Sequence, residues 1–122
     1  MLAVTRLVVV SVLSKRKEVD VDDIKDIVIR KIPVLAGVIA NESPYEVEEE
    51  IDIAISEINI YAKYVKKKSG IEKCVETMDR KIKVNDNCLD VVKELYEEMK
   101  RQIKSGDSLL ADYGRLVLPI LE

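Results

Sequence analysis

A chain of 122 residues, 48% hydrophobic and 35% charged, carries enough apolar material for one core and too much to stay disordered. Its formal net charge of −3 gives no global pull toward nucleic acid or an anionic membrane. It has no His, which removes the commonest general base and metal ligand, and with them Ser-His-Asp and Cys-His nucleophile pairs.

The two Cys cannot complete a four-ligand zinc site by themselves. Phe and Trp are absent, so the core has to be built from Ile, Val and Leu. Abundant Ile, Val, Lys and Glu beside a single Gln, Gln102, resembles the composition of hyperthermophile proteins.

Leu2 to Ser14 is apolar nearly all round, so periodicity does not separate buried helix from buried strand there. Its valines favour a strand and its length a helix; it is read as a helix buried in the core or at an interface. Lys15-Arg16-Lys17 then puts positive charge where a helix dipole favours it. Only seven largely apolar residues, Leu7 to Leu13, precede those basic residues, which is a poor signal peptide. No stretch reaches the ~20 apolar residues of a membrane span. The expectation is a single cytoplasmic domain over residues 1–122, away from membranes.

From Glu18 to Ile32, Asp20 fits an N-cap with Asp22 and Asp23 in the first turn, and Val21, Ile24, Ile27 and Val28 make an apolar face. The same acidic cluster fails as a calcium loop: counted from Asp20, Lys25 and Lys31 stand where an EF-hand needs Gly and Glu. Pro33 interrupts, a short apolar helix is expected from Val34 to Ala40, and Asn41 to Ser43 reads as a loop.

Ser43 to Gly70 is the longest helical signal. Ser43 and Glu46 form a capping box, Pro44 takes the first helical position, and Gly70 is placed to end the helix. Val47, Ile51, Ala54, Ile58, Tyr61 and Val65 make a heptad seam, which Ile55 and Ala62 widen on one side and Ile53, Ile60 and Tyr64 on the other. Only Glu49, Asp52, Ser56, Asn59, Lys63 and Lys66 form a polar stripe. A helix this apolar is expected at the centre of the fold, wrapped by other helices or by a second copy, with Ile58 deep inside.

Ile71, Cys74, Val75, Met78 and Ile82 follow at helical spacing, with Ser69 and Glu72 as a second capping box. A further helix runs from Cys88 to Lys104 with Cys88, Val92, Leu95, Met99 and Ile103 inward, Glu97 paired with Arg101, and Gly106 as its stop. The tail is apolar and broken by Gly114 and Pro119. These elements predict an all-α, compact multi-helix bundle around a long central helix. The alternative is a winged-helix-like α+β fold: Leu2 to Lys17 as first helix, a short strand at Glu18, Asp22 to Lys31 as second helix, the Ser43 helix for recognition, and a wing strand from Arg80 to Val84.

Cys74 and Cys88 fall on apolar stripes and are read first as core thiols, poorly reactive in the native protein, and second as a disulfide across a helix hairpin. Charge is sorted along the Ser43 helix, with Glu46, Glu49 and Glu50 near its start and Lys63, Lys66, Lys67 and Lys68 near its end. These seven residues are the candidate interaction surface. The carboxylates among them could also hold Mg²⁺, but no second facing set completes a hydrolase site. No catalytic, cofactor-binding or metal-binding residue is assigned.

The function expected is therefore that of a small non-enzymatic helical assembly protein, acting through self-association or a protein partner. A two-fold dimer is favoured, because a monomer without aromatic bulk would leave a large apolar patch. In an antiparallel dimer the acidic region of one copy would lie beside the basic region of the other, making assembly salt-sensitive in rate more than in affinity. The alternative is a winged-helix transcription regulator, against which the acidic start of the Ser43 helix argues, since phosphates repel it.

Overall fold

A helix with almost no polar face has to be covered on most sides, and α1 (Leu2–Lys15) is so covered. Val4, Leu7, Val8, Val9, Val10 and Leu13 are all buried, and so are Thr5 and Ser11 between them. The computed structural model describes residues 2–37, 43–67, 73–106 and 111–122. After α1 come β1 (Glu18–Asp20) and α2 (Val21–Asp26), which passes through a π-helical turn (Ile27–Lys31) into α3 (Ile32–Ala36). α4 (Pro44–Ile60) is prolonged by a second π turn (Tyr61–Val65); β2 (Val75–Met78) and β3 (Lys81–Val84) follow. A short 3₁₀ turn (Asp86–Cys88) leads into α5 (Leu89–Ser105), and α6 (Ala111–Leu121) closes the chain. The strands form one antiparallel sheet in the order β1-β3-β2.

The described residues are thus mostly helical with a small sheet. The short strand at Glu18 and the strand before the Cys88 helix are both present, as in the α+β alternative. α1, not the Ser43 helix, holds the central place. α4 and α5 pack along it, with α6 and α2 adding cover. The reason is coverage: α4 commits Val47, Ile51, Ala54, Ile55, Ile58 and Ala62 to the core, and its remaining apolar residues stay outside.

Local chemistry sets the ends of α4. The Ser43 hydroxyl accepts from the Glu46 N–H at 3.2 Å, as the capping box requires, and Pro44 sits in the first turn. Its far end comes earlier than expected. The π turn closes with the Lys66 N–H on the Tyr61 carbonyl, and Lys67 takes the left-handed conformation (φ 52°). Gly70, Lys68 and the second capping box lie outside the described residues, as do residues 38–42 of the expected apolar helix and loop. Pro33 does not interrupt its helix either. The π turn before it hands the Ile32 N–H to Ile27, so the ladder has already shifted where proline would clash. α6 likewise runs through Gly114 and Pro119, and Gly114 packs so close to Ile103 that a Cβ there would lie 2.6 Å from its side chain.

The helix expected over Ile71 to Ile82 is instead the β2–β3 hairpin. Its pattern fits both periods: Val75, Ile82 and Val84 are buried, with Val75 opposite Val84, while exposed residues alternate along β3. The turn is Asp79-Arg80, both left-handed (φ 53° and 63°), a pairing that Gly or Asn usually signals. Cys74 and Cys88 are bridged, with Cα atoms 5.5 Å apart, so the disulfide spans the base of a β-hairpin rather than a helix hairpin. The Asn85 N–H donates to the Cys74 carbonyl at 2.8 Å beside it.

α5 and α6 complete the cover. Val92, Met99 and Ile103 face inward as expected; Val91 and Tyr96 are buried with them, while Leu95 is only half-buried. Arg101 pairs with Glu98, and Glu97 with Lys100 at 2.9 Å, so the expected Glu97–Arg101 pair is replaced by two pairs one residue closer. The end of α6 is held by Lys15, which donates to the Leu121 carbonyl at 2.8 Å.

Ile58 is fully buried between α4 and the core. Ile58→Ala should lower unfolding free energy by about 2–5 kcal/mol in chemical denaturation. Replacing Cys74 and Cys88 together by Ser should cost about 3 kcal/mol by the loop-closure relation, measured the same way. Thiol labelling of the native, unreduced protein should find neither residue.

Candidate functional site

α4 presents one face to the core and one to solvent. Along the outer face run Tyr45, Glu46, Glu49, Asp52, Ile53, Ser56, Ile60, Lys63, Tyr64 and Lys67, all exposed. Tyr45 is 71% exposed, Ile53 44%, Ile60 56% and Tyr64 68%, an unusual density of apolar and aromatic surface for one helix. Ile53, Ile60 and Tyr64, expected to widen the buried seam, instead face outward, and Tyr45 joins them.

The seven candidate residues divide. Glu46 and Glu49 stand on the outer face, and the Tyr45 hydroxyl is hydrogen-bonded to Glu49, whose negative charge raises the tyrosine pKa. Glu50 turns inward and accepts from the Thr5 hydroxyl of α1 at 3.1 Å. Lys63 lies on the outer face with its ammonium 5.5 Å from the Tyr64 ring centroid. Lys66 is drawn away to an ion pair with Glu94 of α5, which raises its pKa. Lys67 is exposed, and Lys68 lies outside the described residues. The surface that remains is Glu46 and Glu49 at one end, Lys63 and Lys67 at the other, and Ile53, Ser56 and Ile60 between.

Asn59 of the expected polar stripe does structural work. The Asn59 amide donates to the Val75 carbonyl and its oxygen accepts from the Val75 N–H, both at 2.9 Å, which joins α4 to β2. Glu48, beside the stripe, anchors the hairpin tip. Arg80 reaches Glu48 at 2.9 Å and Asp22 of α2 at 2.8 Å, Lys25 pairs with the same Glu48, and the Val21 N–H donates to the Arg80 carbonyl at 3.0 Å. Lys25 and then Arg80 hold the Glu48 carboxyl below its ordinary value, while Asp22 and then Glu48 raise Arg80. Lys81 is bound to Glu18 across the sheet at 3.2 Å. Several cations of the hairpin and α2 are thus neutralised by this chain's own carboxylates. The sequence gives no hint of these partners, because they come together only through the fold.

An open groove of about 1350 Å³ runs between α1, the end of α4 and α5, lined by Leu2, Val10, Tyr61, Leu95 and Met99. Of its charged lining, Arg6 and Glu57 are joined at 2.7 Å, and Arg101 pairs with Glu98. Among the described residues no group of three or more Asp, Glu or Cys converges to hold a metal ion. No described helix is long and apolar enough to cross a membrane. No protein-family model matches the chain, and no curated protein or solved structure is significantly similar to it.

Because the folded carboxyl of Glu48 is more acidic than an unfolded one, its contribution to stability is complete at neutral pH. That contribution is lost as pH falls below about 4, through the lowered folded value. Glu48→Gln should therefore lower Tm at pH 7, and the gap to the parent should close in melts recorded at progressively lower pH.

Proposed function

We propose that this chain is a non-enzymatic interaction protein of winged-helix topology whose exposed α4 face binds protein, either a second copy or another chain. The order α1-β1-α2-α4-β2-β3, with β1 pairing the second strand of the hairpin, supports the topology. α4 then stands where a recognition helix stands, and β2–β3 where a wing stands. The observation that carries the choice of partner is the composition of the α4 face. A helix entering a DNA groove reads bases with its N-terminal residues, which here are Tyr45, Glu46 and Glu49. Two carboxylates there repel phosphates, while Tyr45, Ile53, Ile60 and Tyr64 offer the aromatic and aliphatic anchors of protein interfaces.

A nucleic-acid regulator is the second reading, favoured by the basic hairpin with Lys73, Arg80, Lys81 and Lys83. The pairing of Arg80 with Asp22 and Glu48, and of Lys81 with Glu18, weakens it, since cations already neutralised release few counterions from DNA.

Light scattering after size exclusion, with and without a mixed-sequence DNA duplex at physiological salt, separates the two. The expected result is a mass unaltered by DNA and duplex affinity no tighter than the ~10⁻⁴–10⁻⁶ M of non-specific contact. A stoichiometric protein–DNA complex at micromolar concentration would overturn the protein-binding reading.

A further inference from the structure

We propose that the occupant of the α4 face is a second copy of this chain, lying antiparallel across a two-fold axis near Ser56 and Glu57. The inference rests on the protein-binding reading above and names its partner. Glu46, Glu49, Ile53, Ser56, Ile60, Tyr64 and Lys67 recur at spacings of three and four, so they form one straight row along the helix. Read along that row, the surface is acidic, then apolar around a small residue, then basic. A two-fold interface must match its own surface reversed, and this order does.

In that register Ile53 meets Ile60 of the second copy, and by symmetry Ile60 meets Ile53. Ser56, the smallest residue in the row, sits at the axis, where the backbones can come closest. Glu49 falls opposite Lys63 and Tyr64 of the second copy, and Glu46 opposite its Lys67. The Tyr45 hydroxyl and the Tyr64 ring brace Glu49 and Lys63 at the two ends. A parallel arrangement would set Glu49 against Glu49 and Lys63 against Lys63, a like-charge juxtaposition on every pair. The inward turn of Glu50 toward Thr5 and of Lys66 toward Glu94 removes from the row the two charges already satisfied within the chain.

The experiment uses charge reversal on exposed positions. Glu49→Lys and Lys63→Glu are made separately and together in the full chain. Masses are measured by light scattering across a dilution series at low and moderate salt, with thermal melts to confirm folding. Each single variant places two like-charged contacts in every dimer and should weaken self-association at least about tenfold. An equimolar mixture of the two single variants should recover the dimer, because one chain then carries Lys at both positions and the other Glu at both. The double variant should recover it alone. Ile53→Ser, also on the surface, should weaken it without lowering Tm.

A parent dimer indifferent to these changes would overturn the inference and leave self-association standing on another face. Loss of the dimer in the single variants without recovery in the mixture would overturn the two-fold register. A monomeric parent would also overturn the inference, and the protein-binding reading falls with it only if the chain binds duplex DNA as well.

Discussion

A helix without a polar side dictates this fold. α1 leaves little of its surface where solvent is acceptable, and α4, α5, α6 and α2 are positioned to cover it. α4 contributes Val47, Ile51, Ala54 and Ile58, α5 contributes Val92, Met99 and Ile103, and α6 adds Val117 and Leu118. This duty has a geometric cost. A covering helix can turn only one side inward, so whatever apolar residues α4 carries beyond its seam are left facing out. The exposed Ile53 and Ile60 follow from what α1 demands.

The elements that could be read from residues alone were those whose signals are local. The capping of α4 by Ser43, its seam through Ile58, and the inward positions of α5 are each written within one or two helical turns. The hairpin could not be read in this way. Val75, Met78 and Ile82 satisfy a helical period by coincidence, and in the turn Asp79-Arg80 the second position lacks the Gly that usually announces left-handed geometry. What holds that turn is Arg80 reaching Asp22 and Glu48, residues far away along the chain. The π turns at Ile27 and Tyr61 have no composition signature, and Asn59 reads as a solvated polar residue until β2 is beside it.

The same distinction governs the charges. Sign sorting along α4 is visible in the sequence, but the fate of each charge is not. Glu50 and Lys66 are absorbed by α1 and α5, Glu48 becomes the hub of the hairpin anchor, and only Glu46, Glu49, Lys63 and Lys67 of the described candidates keep to the outer face. Counting Lys and Arg overstates what the hairpin can offer to a polyanion, since part of that charge is bound to carboxylates at 2.8–3.2 Å. Local field, rather than net charge, decides which partners are compatible.

The Asn59 clasp has one more consequence. β2 is an outer strand of its sheet, and the N–H and C=O of Val75 that point away from β3 are the groups a foreign strand would use to add itself. Asn59 occupies both, imitating with one side chain the backbone of a neighbouring strand. The sheet is thereby closed to extension at this point, a guard against fibrous, edge-to-edge growth. A contact made at this point of the edge would have to rest on side chains, whose shapes and charges discriminate between partners where a bare strand edge would not.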